Sequence, residues 1–232
     1  MISILMPIYN GVEFIRESIP SVLSQTVDSW ELLIAINGHP PNSTVYQEVL
    51  NYSSSFNDSR IRVFDFHECK GKSVTLNKML SECSYPYVAL LDVDDIWLPS
   101  KLEAQLPFCH KTENNEKYDV IGTKCVYFGD MNNIVPNIPS GDISSFNFFK
   151  WNPVINSSAL IKKELARWDC STMLEDYDLW LRLWKQKYRF YNCNEVLVKH
   201  RIHRSSAFNA QGNHNHVADL LKKHMGDTPT PP

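Results

Sequence analysis

The segment LLDVDD (residues 90–95) places three carboxylates, Asp92, Asp94 and Asp95, within four positions directly after an apolar run. Two like charges about 4 Å apart repel each other by about 4 kcal/mol at an effective dielectric of about 20, so such a cluster favours a bound cation. Oxygen ligands suit Mg²⁺ or Mn²⁺ better than Zn²⁺, and Mg²⁺ is commonly bound together with phosphate groups. A solvated acidic turn before a helix has the same composition, because Asp is favoured in both. The segment alone leaves both interpretations open.

A second acidic pair, Glu175 and Asp176, opens the segment EDYDLWLRLWK, whose apolar residues have helical spacing. Thr172 and Glu175 have the T-x-x-E spacing of a capping box, and the helix dipole favours acids in a first turn. Asp178 and Arg182 have the spacing of a surface ion pair. From the residues alone, ordinary charges at a helix N-terminus are the favoured interpretation.

Basic side chains that could contact anions or metals occur in two further segments. His200 and His203 lie three residues apart in LVKHRIHRSS, where a zinc site is disfavoured because no thiolate has a matching position. His203 is either a ligand or an exposed strand residue. Lys72, near the start of GKSVTLNKML, is either a contact for an anion or a surface lysine.

The elements that must position these side chains alternate between strand and helix patterns. The apolar runs ISILMPIY, WELLIAIN, RIRVFDF and YVALL predict strands, the segments between them have helical periodicity, and YRFYN and EVLVKHRIH predict two late strands. Such alternation indicates an α/β domain with a mainly parallel central sheet flanked by helices. Ligands of open α/β sheets bind beyond the carboxyl ends of the strands, which is where the acidic segment is expected.

Two helix predictions give details that a structure can test. The helix predicted from GKSVTLNKMLSEC has four residues facing inward: Val74, Leu76, Met79 and Leu80. Pro99 is predicted to open a further helix that runs to about His110, because proline is favoured in a first helical turn.

Composition limits the classes of partner and compartment. A length of 232 residues suits one large domain, or one domain with a tail, and the net charge of −3 provides no broad basic surface for nucleic acid. Six cysteines without a C-x-x-C pair favour free thiols in a reducing compartment. The sequence has no recognisable signal peptide or membrane span. We therefore expect a soluble, cytoplasmic protein, or one that is peripheral to a membrane.

Seven segments in a fixed order resemble the family 2 glycosyltransferases of the GT-A fold: SILMPIYNGVEFIRESIPSVLSQT, WELLIAIN, GKSVTLNKML, YVALLDVDD, NSSALIKK, LEDYDLWLRL and LVKHRIHRSS. The resemblance implies a single Rossmann-like GT-A domain over residues 1–206. Its nucleotide-sugar half is expected at about 1–100 and its acceptor half at about 101–206. Residues 207–232, which end in GDTPTPP, are expected to form a C-terminal extension or a linker to further domains of a longer chain.

The family transfers a sugar from a nucleotide-diphosphate donor to an acceptor hydroxyl, with inversion at the anomeric carbon. The resemblance therefore implies an inverting, metal-dependent enzyme that uses Mn²⁺ or Mg²⁺ and a UDP-, GDP- or dTDP-sugar. The implied acceptor is a glycan, a glycoconjugate or a lipid-linked molecule. The alternative is a non-catalytic module of the same fold that binds a nucleotide sugar or a glycan.

The resemblance also assigns residues to the donor. Pro7 and Tyr9 would border the nucleobase, and Lys72 would face the donor phosphates. Asn37 stands where the family usually has an aspartate that touches the base, and this departure motivates the non-catalytic alternative. Asn37 keeps both a donor and an acceptor group for a base edge.

The acidic segment matches the family's D-x-D motif, and the resemblance divides its work among several side chains. Asp92 would lie near the ribose, Asp94 would bind the metal and Asp95 would share that role. His203 matches a late histidine of the family that reaches the metal or the diphosphate.

The Glu175–Asp176 pair matches the family's catalytic pair, so the resemblance makes Asp176 the general base that takes the proton of the acceptor hydroxyl. Glu175 would orient the acceptor or support the base. Trp151, in FNFFKWNPVIN, is either a core aromatic or a platform for an acceptor sugar.

Overall fold

A computed structural model describes residues 1–109, 117–204 and 214–226 of the chain. The described strands are β1 (Ile2–Ile8), β2 (Trp30–Asn37), β3 (Ile61–Phe66), β4 (Tyr87–Leu90), β5 (Ile96–Trp97), β6 (Val120–Gly129), β7 (Gly141–Asp142), β8 (Leu160–Lys162) and β9 (Phe190–Ile202). The described α-helices are α1 (Ile15–Leu23), α2 (Thr44–Ser54), α3 (Lys72–Glu82), α4 (Lys101–Cys109), α5 (Glu175–Lys185) and α6 (His214–Gly226). A short 3-10 segment, Asn156–Ser158, precedes β8.

The nine described strands form one sheet in the order β3-β2-β1-β4-β8-β6-β9-β5, with β7 paired to β9. Strands β1 to β4 pair in parallel, β6 runs parallel to β9, and β8 is antiparallel to both β4 and β6. Strands β1, β2, β3, β4, β6 and β9 therefore point the same way, which confirms the predicted mainly parallel sheet.

The shared direction of these strands brings distant segments of the chain to one edge of the sheet. Strand β2 ends at Asn37, β4 ends two residues before Asp92, and β9 ends directly before His203. Strand β5, which follows the acidic segment, pairs with β9 so that Ile96 lies opposite Lys199. The acidic segment therefore lies alongside the end of β9, although the two are about 100 residues apart in sequence.

Two apolar clusters cover the two faces of the sheet, because successive side chains of a strand point to opposite faces. Ile4 and Met6 belong to the first cluster, which includes buried residues of α1, α2 and α4. Leu5 belongs to the second cluster, which includes buried residues of α3, α5 and α6. The helices thus flank the sheet on both sides, as the strand–helix alternation predicts.

The predicted inward face of α3 is correct for three residues and wrong for one. Leu76, Met79 and Leu80 are buried, whereas Val74 is 38% exposed. A helix turns by about 100° per residue, so Val74 lies about 200° from Leu76 and faces the opposite side. Val74 is predicted to face inward because it is apolar, but its angle on the helix places it on the outer face.

Two boundary predictions also change. Helix α4 begins at Lys101, two residues after Pro99, and the predicted end near His110 lies outside the described residues. The two predicted late strands are a single strand, β9. Its pairing with β6 continues through an irregularity, where the register shifts around Lys124.

The segment 207–232 contains helix α6, and Leu220 of this helix is buried in the second apolar cluster. The part of GDTPTPP beyond Gly226 lies outside the described residues. Within the described parts of the chain, every helix is too short or too polar to cross a membrane.

A hydrogen-bonded network beneath the acidic segment joins α4 to the sheet. The Gln105 side chain donates to the carbonyl oxygens of Ile121 (2.7 Å) and Ser158 (2.8 Å). The Trp97 indole donates to the carbonyl oxygen of Ser157 at 2.7 Å. These bonds satisfy buried carbonyl groups and hold the 3-10 segment, which carries two contacts of the candidate site, in one position.

Lys101 is a fully buried side chain in this network. Its Nζ donates to Gln105 Oε1 at 2.7 Å and lies 3.9 Å from the centre of the Trp97 ring. Burial lowers the pKa of Lys101 to about 7, because no carboxylate among the described residues compensates for the lost hydration. The aromatic ring favours the ammonium form and offsets part of this effect.

Replacing Lys101 by methionine should therefore change how stability depends on pH. Between the folded pKa and the unfolded value of about 10.4, the unfolded wild-type chain binds more protons, so wild-type stability rises with pH by up to about 1.4 kcal/mol per unit. Lys101→Met removes this slope, so its advantage over the wild type should be greatest at about pH 6 and shrink toward about pH 10. Urea unfolding across this range measures the difference, and a pH-independent difference would contradict the burial of an uncompensated amine.

Candidate active site

Asp92 lies just beyond the carboxyl end of β4 and is held by three contacts. Its backbone N–H donates to Ser157 Oγ at 3.0 Å, and its Oδ2 accepts from Asn156 Nδ2 at 2.9 Å. Its Oδ1 lies 2.6 Å from Lys72 Nζ. Burial alone would raise the pKa of Asp92, but the Lys72 charge and the Asn156 hydrogen bond outweigh it and lower the pKa. The Asp92 carboxylate is therefore ionised and fixed in orientation.

Lys72 joins the acidic segment to the start of α5. Its Nζ lies 2.6 Å from Asp92 and 3.1 Å from Glu175 Oε1. Lys72 is the first residue of α3, and Gly71 before it has φ +99°, a conformation that suits glycine. Burial lowers the stability of the ammonium form, but the two carboxylates outweigh it and raise the pKa of Lys72 well above its usual range. The structure thus places Lys72 between two acids of the site.

Asp94 faces His203 at the end of β9. Asp94 Oδ2 lies 2.9 Å from His203 Nε2, and the His203 ring packs against Phe14. Burial raises the pKa of Asp94, and the neighbouring carboxylates of Asp95 and Asp92 raise it further. A carboxylate under such repulsion gains from a cation, so this pair is where the site would best accept one.

Asp95, the residue expected to share the metal, is bonded to β9. Its side chain is fully buried, accepts a hydrogen bond from the Arg201 backbone N–H at 2.8 Å and lies 2.9 Å from His200 Nδ1. Burial would lower the pKa of His200, but Asp95 outweighs it and raises the pKa to about 9. Both Asp95 oxygens therefore have partners on β9, and a share of Asp95 in binding the metal stays a prediction.

Helix α5 begins at Glu175, and the predicted capping box does not form. The cap residue is Leu174, whose N–H donates to Thr172 Oγ1 at 3.2 Å, and no side chain caps the helix. The prediction is wrong because the helix begins three residues beyond Thr172, so Glu175 opens the helix instead of reaching back to it. This leaves the Glu175 carboxylate free to pair with Lys72.

Asp176 lies beside this ion pair in a buried setting. Its Oδ2 accepts a hydrogen bond from Asn152 Nδ2 at 3.2 Å. Burial raises the pKa of Asp176 to about 6, Glu175 adds to the rise, and Lys72 opposes it. A carboxylate with a pKa near the working pH is suited to take a proton and release it again.

The residues expected at the nucleobase lie at the ends of β1 and β2. Pro7 and Tyr9 belong to the end of β1 and the loop after it, while Asn37 is the last residue of β2 and is buried. Tyr9 is 56% exposed, and its ring lies against Gly38, where an added Cβ would come within 3.2 Å of it. His39 Nε2 lies 2.5 Å from the Tyr9 carbonyl oxygen, so the loop after β2 is tied to the loop after β1.

Several contacts of the site are not identified by the sequence motifs. Asn152 and Asn156 each donate to a carboxylate, and Ser157 accepts from the Asp92 backbone. They all come from WNPVINSS, and although its last residues overlap the family segment NSSALIKK, the resemblance assigns no role to these residues. In the same segment Trp151 is 46% exposed and contacts Phe146 edge-on, so it is not a core aromatic.

The donor atoms at Asp94 and His203 fit a divalent cation that is held only partly by the protein. One carboxylate oxygen and one imidazole nitrogen lie within 3 Å of each other. Mg²⁺ is usually bound by one or two carboxylates together with substrate phosphates, and carboxylates also suit Mn²⁺. Over the described ranges, no group of three or more His, Cys, Asp or Glu side chains could hold a metal alone. The remaining ligands would have to come from a diphosphate or from water.

A family model described as Glycosyl transferase family 2 matches residues 3–173. The chain belongs to glycosyl transferase family 2. One relative is the Escherichia coli UDP-Glc:alpha-D-GlcNAc-diphosphoundecaprenol beta-1,3-glucosyltransferase WfgD. The two sequences are 30% identical over 213 residues, and the match covers 89% of this chain and 79% of WfgD. This family 2 chain is 28% identical over 215 residues to the E. coli O-antigen biosynthesis glycosyltransferase WbnJ, covering 89% and 81% of the two chains.

Solved structures of glycosyltransferases share the fold of this family 2 chain, which confirms the expected GT-A fold. The mannosyltransferase PcManGT from Pyrobaculum calidifontis, in complex with GDP-Man and Mn²⁺, has a TM-score of 0.75 at 14% identity, covering 100% of this chain and 66% of that one. S. aureus TarS in complex with UDP-GlcNAc has a TM-score of 0.76 at 13% identity, covering 99% and 68%. The chain thus spans about two thirds of the length of these two neighbours.

The different placements of Asp94 and Asp95 predict opposite effects of removing their charges. Asp95→Asn should lower the free energy of unfolding by about 1–3 kcal/mol, because it leaves the buried partners on β9 incompletely satisfied. Asp94→Asn should leave stability equal or higher, because it removes a repelled carboxylate, but should weaken Mn²⁺-dependent binding of a nucleoside diphosphate at least about tenfold.

Chemical unfolding and calorimetric titration with UDP or GDP, each with and without Mn²⁺, measure the two effects for this pair of matched variants. If Asp95→Asn keeps its stability but loses Mn²⁺-dependent binding of the nucleoside diphosphate, the assignment of the two aspartates is reversed.

Proposed function

We propose that this chain is an inverting glycosyltransferase that moves a sugar from a nucleotide-diphosphate sugar to the hydroxyl group of an acceptor. The observation that carries the proposal is the position of Lys72 between Asp92 and Glu175. Through this bridge, the acidic segment that would bind the donor lies next to the Glu175–Asp176 pair that would activate the acceptor. A donor and an acceptor bound at these two places would be adjacent, as a direct displacement requires.

The donor half would be formed by the carboxyl ends of β1, β2 and β4. Tyr9 and Asn37 are assigned to the nucleobase, Asp92 to the ribose and Lys72 to the diphosphate. A Mn²⁺ or Mg²⁺ ion held by Asp94 and His203 would neutralise negative charge on the leaving nucleoside diphosphate. When the diphosphate is bound, Lys72 would have a third anionic partner beside its two carboxylates.

The transfer itself would need one side chain that changes its protonation state. Asp176 accepts the proton of the acceptor hydroxyl while the acceptor oxygen forms a bond to the anomeric carbon. The bond from that carbon to the diphosphate oxygen breaks, and the nucleoside diphosphate leaves with the electron pair. A single displacement on the face opposite the leaving group inverts the anomeric carbon. Asn152 would keep the Asp176 carboxylate oriented, and Glu175 would stay with Lys72.

The donor is proposed to be a UDP-, GDP- or dTDP-sugar and the acceptor a glycan, a glycoconjugate or a lipid-linked sugar. The support is the activity of WfgD, which uses UDP-Glc and a diphosphoundecaprenol-linked sugar, and the GDP-Man and UDP-GlcNAc bound by the two structural neighbours. Trp151, exposed beside Asn152, is proposed as a contact for the acceptor.

The proposal is tested by a panel of nucleotide sugars with Mn²⁺, first by thermal shift and then by release of the nucleoside diphosphate in the presence of candidate acceptors. For the donor that is turned over, Asp176→Asn should lower kcat by about 10²–10⁴-fold, the usual contribution of a general base. The dissociation constant of the donor should stay within about twofold, since the proposal assigns Asp176 to the acceptor hydroxyl and not to the donor.

Two controls separate the possible outcomes of this experiment. Asp28→Asn, at a side chain that is 94% exposed in the loop before β2, should leave both constants unchanged. Donor binding without transfer to any acceptor would instead support the non-catalytic module. Full activity of Asp176→Asn would remove Asp176 from the role of base.

The pH dependence of transfer should report the electrostatic coupling between Lys72 and Asp176. Activity should rise with pH as Asp176 ionises at about pH 6, because the base acts in its deprotonated form. Lys72 lowers this pKa, so Lys72→Met should raise it and shift the acid limb of kcat to higher pH. Lys72→Arg, which keeps the charge, is the matched control. An acid limb that stays in place or moves to lower pH in Lys72→Met would contradict the coupling.

A further inference from the structure

Helix α5 has a third carboxylate, Asp178, to which the proposed reaction assigns no role. Asp178 is completely buried, so it is not the surface residue that its spacing from Arg182 suggests. The ion pair itself does form, with Arg182 Nε 2.7 Å from Asp178 Oδ2. Asp178 lies two residues after Asp176 in the first turn of the helix. A buried charge this close to the proposed base must be compensated, since an unpaired one costs several kcal/mol.

The rest of the compensation comes from the C-terminal helix. His224 Nε2 lies 3.0 Å from Asp178 Oδ1, and Lys223 Nζ lies 3.3 Å from the same oxygen. His224 is itself buried. Burial would raise the pKa of Asp178, but the hydrogen bonds from Arg182 and His224 outweigh it and lower the pKa. Helix α6 therefore supplies two of the three basic side chains around this carboxylate.

Further contacts tie the same two helices together around this point. Lys185, in the last turn of α5, donates from Nζ to the His224 carbonyl oxygen at 2.7 Å. Lys223 also pairs with Asp169 at 2.8 Å, in the turn that leads into α5. Leu220 of α6 is buried in the apolar cluster that includes α5. Helix α6 is thus attached to both ends of α5.

We propose that helix α6 positions the catalytic helix, with His224 as a positioning residue that acts through Asp178 on the first turn of α5. Asp176 and Glu175 belong to this turn, and their side chains contact Asn152 and Lys72 on the side of the acidic segment. Asp178 and His224 hold the same turn from the other side. The proposal rests on the proposed function, because it assigns α6 to the geometry of that reaction.

The expected size of the effect follows from how the first turn is held. If Asp178 loses its contact with His224, Arg182 and Lys223 remain, so the helix should stay formed while its first turn gains freedom. A displacement of about 1 Å at a reacting group can reduce a rate by about 100-fold. The effect should appear in kcat and not in donor affinity, because no residue assigned to the donor belongs to α5.

The experiment uses the full chain with three substitutions. His224→Ala removes the hydrogen bond, and His224→Gln can restore it because the Gln side chain ends in an amide donor. Lys222→Ala, at a side chain of the same helix that is 79% exposed, is the control. Hydrogen–deuterium exchange of the peptide that covers residues 172–182 is measured for each variant, together with kcat and the dissociation constant of the donor.

We expect His224→Ala to speed exchange in the first turn of α5 and to lower kcat by about tenfold to 100-fold, with donor affinity within about twofold of the wild type. His224→Gln should recover most of both quantities, and Lys222→Ala should change neither. Unchanged exchange in His224→Ala would overturn the proposal, and so would an equal loss of kcat and donor affinity that follows the unfolded fraction.

The exchange measurement also separates this proposal from the proposed function. It reports the coupling of α6 to the first turn of α5 whether or not any sugar is transferred. If the wild type has no transferase activity and His224→Ala still loosens that turn, the proposed function fails and the positioning of α5 by α6 stands as structure alone. If the wild type is active and the turn is unaffected, only the positioning role fails.

Discussion

The site depends on one ammonium group held between two carboxylates. Lys72 is 2.6 Å from Asp92 and 3.1 Å from Glu175, and these acids come from elements about 80 residues apart in sequence. Without a cation between them, the carboxylates at the end of β4 and the start of α5 would repel each other and could not approach so closely. The same charge acts on Asp176, which connects the proposed base electrostatically to the side proposed to bind the donor. A diphosphate that approached Lys72 would enter a site where positive charge is already shared.

Three neighbouring aspartates show how tertiary contacts divide the work of one short acidic segment. Asp92 has a lowered pKa and is bound by Lys72 and Asn156, so it is an ionised and oriented carboxylate. Asp94 has a raised pKa beside His203, and it is the group that gains most from a cation. Both carboxylate oxygens of Asp95 are bonded to β9, the strand that pairs with β5. Like charges are tolerated in this segment because each carboxylate has its own basic partner: Lys72 for Asp92, His203 for Asp94 and His200 for Asp95.

Helix α5 is held on two sides, which accounts for the density of charged residues in its first turn. Glu175 and Asp176 contact the side of the acidic segment, while Asp178 is enclosed by Arg182 and by α6. The helix dipole favours these acids but is worth only about 0.3–1 kcal/mol for each exposed charge. Specific partners therefore carry most of the compensation, and the proposed base is held by contacts on both sides of one helical turn.

The sequence by itself determined the alternation of strands and helices, the mainly parallel sheet and the position of the acidic segment beyond a strand end, because apolar periodicity is a local property of the chain. The order of the motifs was enough to assign the family. Only the tertiary structure decided which acids face one another, since these partners are far apart in sequence: Asp95 pairs with His200, 105 residues away, and Asp178 with His224, 46 residues away. Spacing alone fails to separate a buried carboxylate from an exposed one, because burial depends on which elements pack against it and not on its neighbours in the chain.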